Sequence, residues 1–375
     1  LITAFANLFG LGGAPLCAMA RGKGNREGAQ GIMVNAGFML LLSGAVLTVL
    51  GIAFHRPLLY LFGASEVTYP YASSYIVIYL IGTLCVMLSL GLNPYINCQG
   101  FARTGMLTVA LGAAANIVLD PIFIFALHLG VRGAAIATVL SQFLSAAWVV
   151  KFLTGKKAEL KLDFRGFRPD CQCIQRITVL GIASFVMSFT DTLVQVACNA
   201  TLRNFGGDLY ISVMTVLNSV RQIAQTPVLA IADGASTAIS YNYGAGLYKR
   251  TRDAIRFMTQ IAIGYTMLVW MLVSLFPALF IRIFNQDAEL VAAAVPALHI
   301  YFFGFVMMAF QYAGQSTFRA LGRAKYAVFF SLLRKAFIVV PLTLLLPYCW
   351  NLGVSGVFAA EPVSNCIGGL ACYFT

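Results

Sequence analysis

Asp120 stands in the run AANIVLDPIFIF, an ionisable carboxyl among apolar neighbours. Asn116 lies four residues earlier, on the same face if this run is helical. Pro121 follows and has no backbone N–H, so a carbonyl one turn earlier loses its partner. A carboxylate, an amide and a freed carbonyl together form an oxygen-rich set able to take up a proton or Na⁺. Holding a charge in hydrocarbon costs roughly 2.5–3.5 kcal/mol on insertion scales, so an acid retained there is usually functional. The bland alternative is that Asp120 is paired for structure or sits near a membrane interface.

Asp191, Gln195 and Asn199 step by four within SFTDTLVQVACNATL, and Met187 extends the stripe. On a helix these residues share one face. A polar stripe inside a membrane must meet protein or a water-filled cavity. One reading is a wall of a substrate cavity, with Asp191 attracting cations; the other is hydrogen bonding between helices. Glu361, followed by Pro362, is open to two readings as well, an ion or substrate group or a structural kink. Asp233 is expected near a span end, solvated or capping. Arg221 falls midway along its span with no partner named by the sequence, and Arg334 and Lys335 are expected to snorkel towards the cytoplasmic face. Met307, Met308, Phe310, Gln311 and Tyr312 read first as packing residues, the other reading being the lining of a cavity, since Met adapts to varied shapes.

These groups can matter only if membrane helices position them. The chain of 375 residues is 60% hydrophobic and 10% charged, with mean hydropathy +0.83. Soluble domains carry roughly 25% charged residues, so this is a polytopic membrane protein. Apolar stretches of about 20 residues, the length a span requires, fall near 1–20, 31–54, 72–95, 105–127, 131–153, 174–202, 210–240, 254–281, 290–318, 324–348 and 353–375. The loops alternate in charge: eighteen Lys and Arg lie in one set, four in the other. The positive-inside rule puts the first set in the cytoplasm. That rule also accounts for the net charge of +12, which argues against a nucleic-acid partner. The polar stretch 154–173 reads as a cytoplasmic linker between an N-terminal lobe, 1–153, and a C-terminal lobe, 174–375.

The lobes repeat. His128-Leu129-Gly130-Val131-Arg132-Gly133 returns as Asn351-Leu352-Gly353-Val354-Ser355-Gly356, 223 residues on; Phe62, Tyr79 and Gly82 return as Phe284, Tyr301 and Gly304, 222 on; Gly13-Ala14 returns as Gly234-Ala235 and Ser141 as Ser364. The same register pairs Glu361 with Thr138. An all-α fold of two pseudo-symmetric six-helix lobes follows, of the kind many secondary transporters use. The register leaves the first lobe one helix short, so eleven of twelve helices are expected here, the missing one preceding Leu1. An even number of spans per lobe makes the repeats parallel.

Other chemistries find no support. The nine cysteines are scattered, and Cys171-Gln172-Cys173 is too tight for the usual zinc pair. No phosphate-binding G-x-x-x-x-G-K-[ST], dinucleotide fingerprint, His-Glu-x-x-His or serine elbow is present. The three histidines lie near span ends. No cofactor is expected, and no metal beyond Na⁺ at Asp120.

The combination of Asn116-Ile117-Val118-Leu119-Asp120-Pro121, Cys98-Gln99-Gly100-Phe101-Ala102-Arg103, ASTAISYNYGAG (Ala235–Gly246) with Tyr248-Lys249-Arg250, and Phe318-Arg319-Ala320-Leu321-Gly322 continued to Leu333-Arg334 resembles the bacterial branch of the MATE (multidrug and toxic compound extrusion) transporters. The resemblance covers essentially the whole chain. It implies two lobes opening alternately to either side of a bacterial cytoplasmic membrane, and export of organic cations in exchange for H⁺ or Na⁺. It further implies a cation site in the first lobe made by Asn116, Asp120 and a hydroxyl on the next helix, matched by Thr138, together with an acid on the helix before Leu1.

The expected protein is thus a cation-coupled antiporter, working as a monomer in the lipid bilayer on small amphipathic cationic substrates. Asp120, Asn116 and Thr138 would bind the coupling ion, and Asp191, Gln195, Asn199, Met187 and Glu361 the substrate. The alternative within transport is a lipid-linked oligosaccharide flippase of the same superfamily, which would need a strongly cationic cavity. A membrane-embedded transferase would need a His/Asp cluster, and none is visible. The doubled lobe argues against a passive channel.

Overall fold

A chain that crosses lipid must satisfy its backbone hydrogen bonds internally, and helices do so within one segment. The computed structural model, which describes residues 2–61, 69–349 and 352–375, is accordingly helical, with no strand among the described residues. Its contacts divide it into two compact units: Leu1–Phe185 with Gly244–Gly246, and Val186–Tyr243 with Leu247–Thr375.

Unit 1 holds α1 (Ile2–Gly22), α2 (Arg26–Ala53), α3 (His55–Leu61), α4 (Tyr69–Ile81), α5 (Thr83–Cys98), α6 (Ala102–Pro121) and α7 (Gly130–Thr154). α8 (Cys171–Gly244) begins in unit 1 and continues into unit 2; its two arms, 171–206 and 208–244, meet at Gly207, whose φ of 64° suits a residue without Cβ. Unit 2 continues with α9 (Tyr248–Leu275), α10 (Pro277–Arg282), α11 (Ala288–Phe302), α12 (Met308–Ala320), α13 (Ala324–Leu332), α14 (Val340–Leu345) and α15 (Val354–Phe374). Among the described residues, six helices are long and apolar enough to cross a membrane. Two bent pairs, α4 with α5 at 53° and α11 with α12 at 43°, each pass the same test together. The other expected stretches coincide with the arms of α8 and with α15. Phe62 and Asn351, members of the sequence repeat, lie outside the described residues.

The repeat returns in the geometry. α2 and α9 open at Arg26 and Tyr248 and close at Ala53 and Leu275, each 222 apart. Both bent pairs break at the repeated glycine. A Cβ on Gly82 would strike Val139, and one on Gly304 would strike Pro362, the position 223 beyond Val139. The left-handed glycines pair as well: Gly24 and Gly246 (φ 76° and 74°), Gly100 and Gly322 (87° and 74°), Gly130 and Gly353 (both 52°). Each ends or joins helices where an L side chain would be strained.

Each unit has its own core, one around Met33, Leu40, Leu92 and Tyr95, the other around Leu217, Leu298, Phe302 and Phe358. In unit 1 small residues let backbones meet. A Cβ on Gly10 would strike the Gly91 backbone of α5, and Gly12 of α1 and Gly181 of α8 lie against each other's helices. This is the close approach that membrane helices use in place of hydrophobic sorting. The stretch read as a linker is tied to unit 1. Leu160 is fully buried, and its N–H donates to Gln99 Oε1 at 2.9 Å. Asp170 N–H donates to Asn35 Oδ1 at 3.0 Å. Arg21 pairs with Glu159, and Arg26 donates to the Glu159 carbonyl at 2.5 Å.

Candidate ion and substrate sites

In unit 1, α6 and α7 pack side by side. Asn116 and Asp120 face the same way on α6, as their spacing requires, and Asn116 Nδ2 donates to Asp120 Oδ1 at 3.2 Å. Both are half-buried. Beyond Pro121 the α-helix gives way to a π-helical turn, Ile122–Ala126, the wider geometry that follows a disturbed ladder and often marks functional places. Asn116 lines a cavity of about 240 Å³ together with Thr138, Ser89, Thr108, Ser141 and Gln142. The structure therefore brings Asn116 and Thr138 to one cavity, and Asp120, bonded to Asn116, is not among the residues that line it.

Polar groups dominate part of this cavity's wall. Ser89 is buried and donates to Gln142 Oε1 at 2.9 Å. Thr138 donates to the Ala134 carbonyl at 2.9 Å, which leaves its hydroxyl oxygen able to accept or ligate. Ser89 and Gln142 were not legible as site residues. Ser141 was visible through its repeat partner Ser364, and Gln142 sits beside it.

In unit 2 five charged side chains meet. Glu361 of α15 is 4% exposed, and its Oε1 is 3.1 Å from Arg221 Nη1, 3.2 Å from Arg334 Nη1 and 3.5 Å from Lys335 Nζ. Arg334 also donates to Asn365 Oδ1 at 2.5 Å. Lys335 Nζ lies 2.5 Å from Asp191 Oδ1. The expectation that Arg334 and Lys335 snorkel is overturned, since each is only 2% exposed. They lie in a π-helical stretch, Leu333–Val339, within the span that α13 begins and α14 ends. Pairing is what makes their burial tolerable: an unpaired charge in the interior costs several kcal/mol. Arg221, without a partner in the sequence, has Glu361. Asp233 is bonded to Arg319 at 2.9 Å rather than simply solvated.

Asp191, Gln195, Asn218, Arg221, Tyr301 and Glu361 line a narrow cleft of about 10 Å³, room for about one water molecule. Of the predicted stripe, Asp191 and Gln195 reach this cleft; Met187 and Asn199 are not among its lining residues. The Asp191 side chain is 41% exposed, which makes it the open end of the cluster. Tyr301 also lines the cleft, donating to Asn218 Oδ1 at 3.1 Å, with the Arg221 guanidinium 5.9 Å from its ring. That distance allows a cation–π contact. The repeat marked Tyr301, but only the fold shows that it packs against a buried arginine.

The family model MatE matches residues 1–122 and 183–345. The multidrug export protein MepA of Staphylococcus haemolyticus is 23% identical over 95% of this chain and 78% of its own length. The FAD transporter of Shewanella oneidensis is 24% identical, over 94% of this chain and 78% of its own. Among solved structures, an outward-facing multidrug resistance MATE family transporter of the MOP superfamily superposes with a TM-score of 0.95 at 23% identity, covering all of this chain and 83% of that one. A MOP superfamily transporter from Pyrococcus furiosus, described as having a binding pocket of reverse polarity, gives 0.94 at 22%, again over all of this chain and 83% of that one. Two doubled sets of membrane helices, the intramembrane acids they position and a family match over most of the sequence lead to one conclusion: this chain is a multi-pass membrane protein that belongs to the MatE family, the MATE transporters.

Proposed function

We propose that the protein is a cation-coupled antiporter that exports amphipathic organic cations by alternating access, with H⁺ or Na⁺ bound at Asp120, Asn116 and Thr138. The observation that carries this reading is the hydrogen bond from Asn116 to Asp120, with Asn116 also lining a cavity that Thr138 shares. Coupling arises if the ion binds one conformation of the transporter better than the other, and the substrate has the opposite preference. Asp191 and Gln195 supply the polar edge of the substrate path. Asp191 is the cluster member most open to a ligand, its side chain 41% exposed although bonded to Lys335, and it is the acid that a cationic cargo would meet. Met187 and Asn199 extend that wall, and Glu361 acts behind it by holding the bases in place.

The flippase alternative is not favoured. It asks for a strongly cationic cavity, whereas Arg334 and Lys335 are sealed and shared between two carboxylates. Relatives named for multidrug export and for FAD transport speak for a transporter rather than an enzyme.

The test is efflux of a fluorescent organic cation from proteoliposomes holding the full chain, under a proton gradient and a sodium gradient applied separately. Efflux is expected to follow one of the two gradients. Asp120→Asn keeps the shape of the side chain and removes its charge. It is expected to cut the rate of gradient-driven efflux about tenfold or more, equivalent to at least ~1.4 kcal/mol in the barrier to transport. Efflux undiminished in that variant overturns the ion site, and efflux of a flavin cargo alone overturns the cationic substrate.

A further inference from the structure

The repeat register relates the unit 1 cavity to the unit 2 charge cluster, residue by residue. Thr138, Gln142 and Ser145 of α7 correspond, 223 residues on, to Glu361, Asn365 and Gly368 of α15. Gly112 and Ala113 of α6 correspond, 222 residues on, to Arg334 and Lys335. Packing supports this pairing independently. In unit 1 a Cβ on Gly112 would strike Ser145 Oγ, and in unit 2 a Cβ on Gly368 would strike the Arg334 side chain. Small residue and large residue have changed places across the same helix contact.

What lies between them differs. Unit 1 keeps a cavity of about 240 Å³ against Asn116, Thr138 and Gln142. In unit 2 the Arg334 guanidinium reaches the counterparts of that wall, Glu361 at 3.2 Å and Asn365 at 2.5 Å, while its stem lies on Gly368. The Lys335 ammonium joins it on Glu361 at 3.5 Å. A cavity whose polar wall carries hydroxyls and amides, beside Leu90, Val109 and Ala113, has become a place where a carboxylate and an amide meet two cationic side chains.

We infer that unit 2 is permanently loaded with its own cations: Arg334 and Lys335 occupy the place that, in unit 1, receives the coupling ion, so ion exchange is confined to unit 1. The unit 1 half rests on the function proposed above; the unit 2 half stands on the ion pairs alone. A sealed carboxylate that already has three basic partners offers a mobile cation neither space nor unbalanced charge.

The experiment counts bound cations on the purified full chain. Equilibrium dialysis with ²²Na⁺ measures sodium, and the protonated-carboxyl stretch in the infrared measures protons. The unit 2 arm is read in the Asp120→Asn background, so its outcome does not depend on the ion site of unit 1. With Arg334 and Lys335 intact, Asp120→Asn protein is expected to show no exchangeable cation that Glu361→Gln removes. Replacing both bases by alanine in that background is expected to create one new site, seen as bound ²²Na⁺ or as a new protonated carboxyl, and lost on adding Glu361→Gln. If the double replacement does not fold, Lys335→Ala alone is used. Its thermal stability is then expected to rise with n-butylammonium and not with n-butanol. Exchangeable Na⁺ or a titrating Glu361 with both bases present overturns the inference. So does the absence of any gained cation in the double replacement, or of butylammonium rescue in the single one. Failure of Asp120→Asn to change the cation count in the otherwise native chain points instead at the unit 1 reading.

Discussion

Glu361→Gln is expected to destabilise the protein by about 3–5 kcal/mol, the usual cost of removing one partner from a buried ion pair. Glutamine is nearly isosteric, so packing is retained and charge is the variable. Glu361 Oε1 lies within 3.5 Å of three basic groups. Without it, Arg221 and Arg334 lose their ion pair in a place that is 4% exposed or less at Glu361 and Arg334. Only Lys335 keeps an acid, Asp191 at 2.5 Å. Thermal unfolding in detergent should show a clear fall in the midpoint, since each kcal/mol moves it by about 2–4 °C in domains of about 150–250 residues and by somewhat less in a longer chain. Adding Arg221→Met to Glu361→Gln should recover part of the loss, because it removes one of the stranded charges. An unchanged midpoint in the single variant refutes the account of Glu361 as the shared counter-ion.

Gly181→Val should be comparably damaging for a steric reason. A Cβ at Gly181 would lie on the backbone carbonyl of Leu8, and one at Gly12 would meet the Ile177 carbonyl. Backbone cannot rotate out of the way as a side chain can, so α1 and α8 must move apart along their contact. Overpacking of ordinary core sites costs about 1–3 kcal/mol; a backbone clash between two membrane helices belongs at or above the top of that range. The expected result is loss of the monodisperse folded peak in fluorescence-detected size-exclusion chromatography. Gly234→Ala is the control. Nothing lies within 4 Å of a Cβ there, and its effect is expected within about 0.5 kcal/mol. Equal yields from the two variants contradict the close-packed crossing.

The fold was legible because hydropathy and glycine are local signals. Gly82 and Gly304 stood out in the repeat, and both mark the breaks of bent helix pairs. Periodicity could not show the bends themselves, because an apolar run reads alike whether straight or broken. The candidate site of unit 1 was half legible. Asn116 and Asp120 share a helix, so four-residue spacing predicts their contact; Ser89 reaches Gln142 across 53 residues, and no local pattern encodes that. In unit 2 the stripe from Asp191 to Gln195 was readable, whereas Arg334 and Lys335 were misread. A base in an apolar helix looks the same in sequence whether it snorkels or is paired. Glu361, 140 residues from Arg221, decides between the two only once the chain is folded.

The charge cluster of unit 2 has an electrical consequence. Arg221, Arg334 and Lys335 against Asp191 and Glu361 leave one net positive charge when all five are ionised. Any reorientation of unit 2 that carries this cluster through the membrane field moves that charge whether or not cargo is aboard. An elementary charge crossing the whole field is worth about 2.3 kcal/mol per 100 mV, and a partial crossing a proportionate share. Voltage steps applied across a planar lipid bilayer that holds the oriented protein should therefore reveal a transient displacement current without substrate. Substituting Lys335 by an uncharged residue should shrink that current, because the moving cluster would then be neutral.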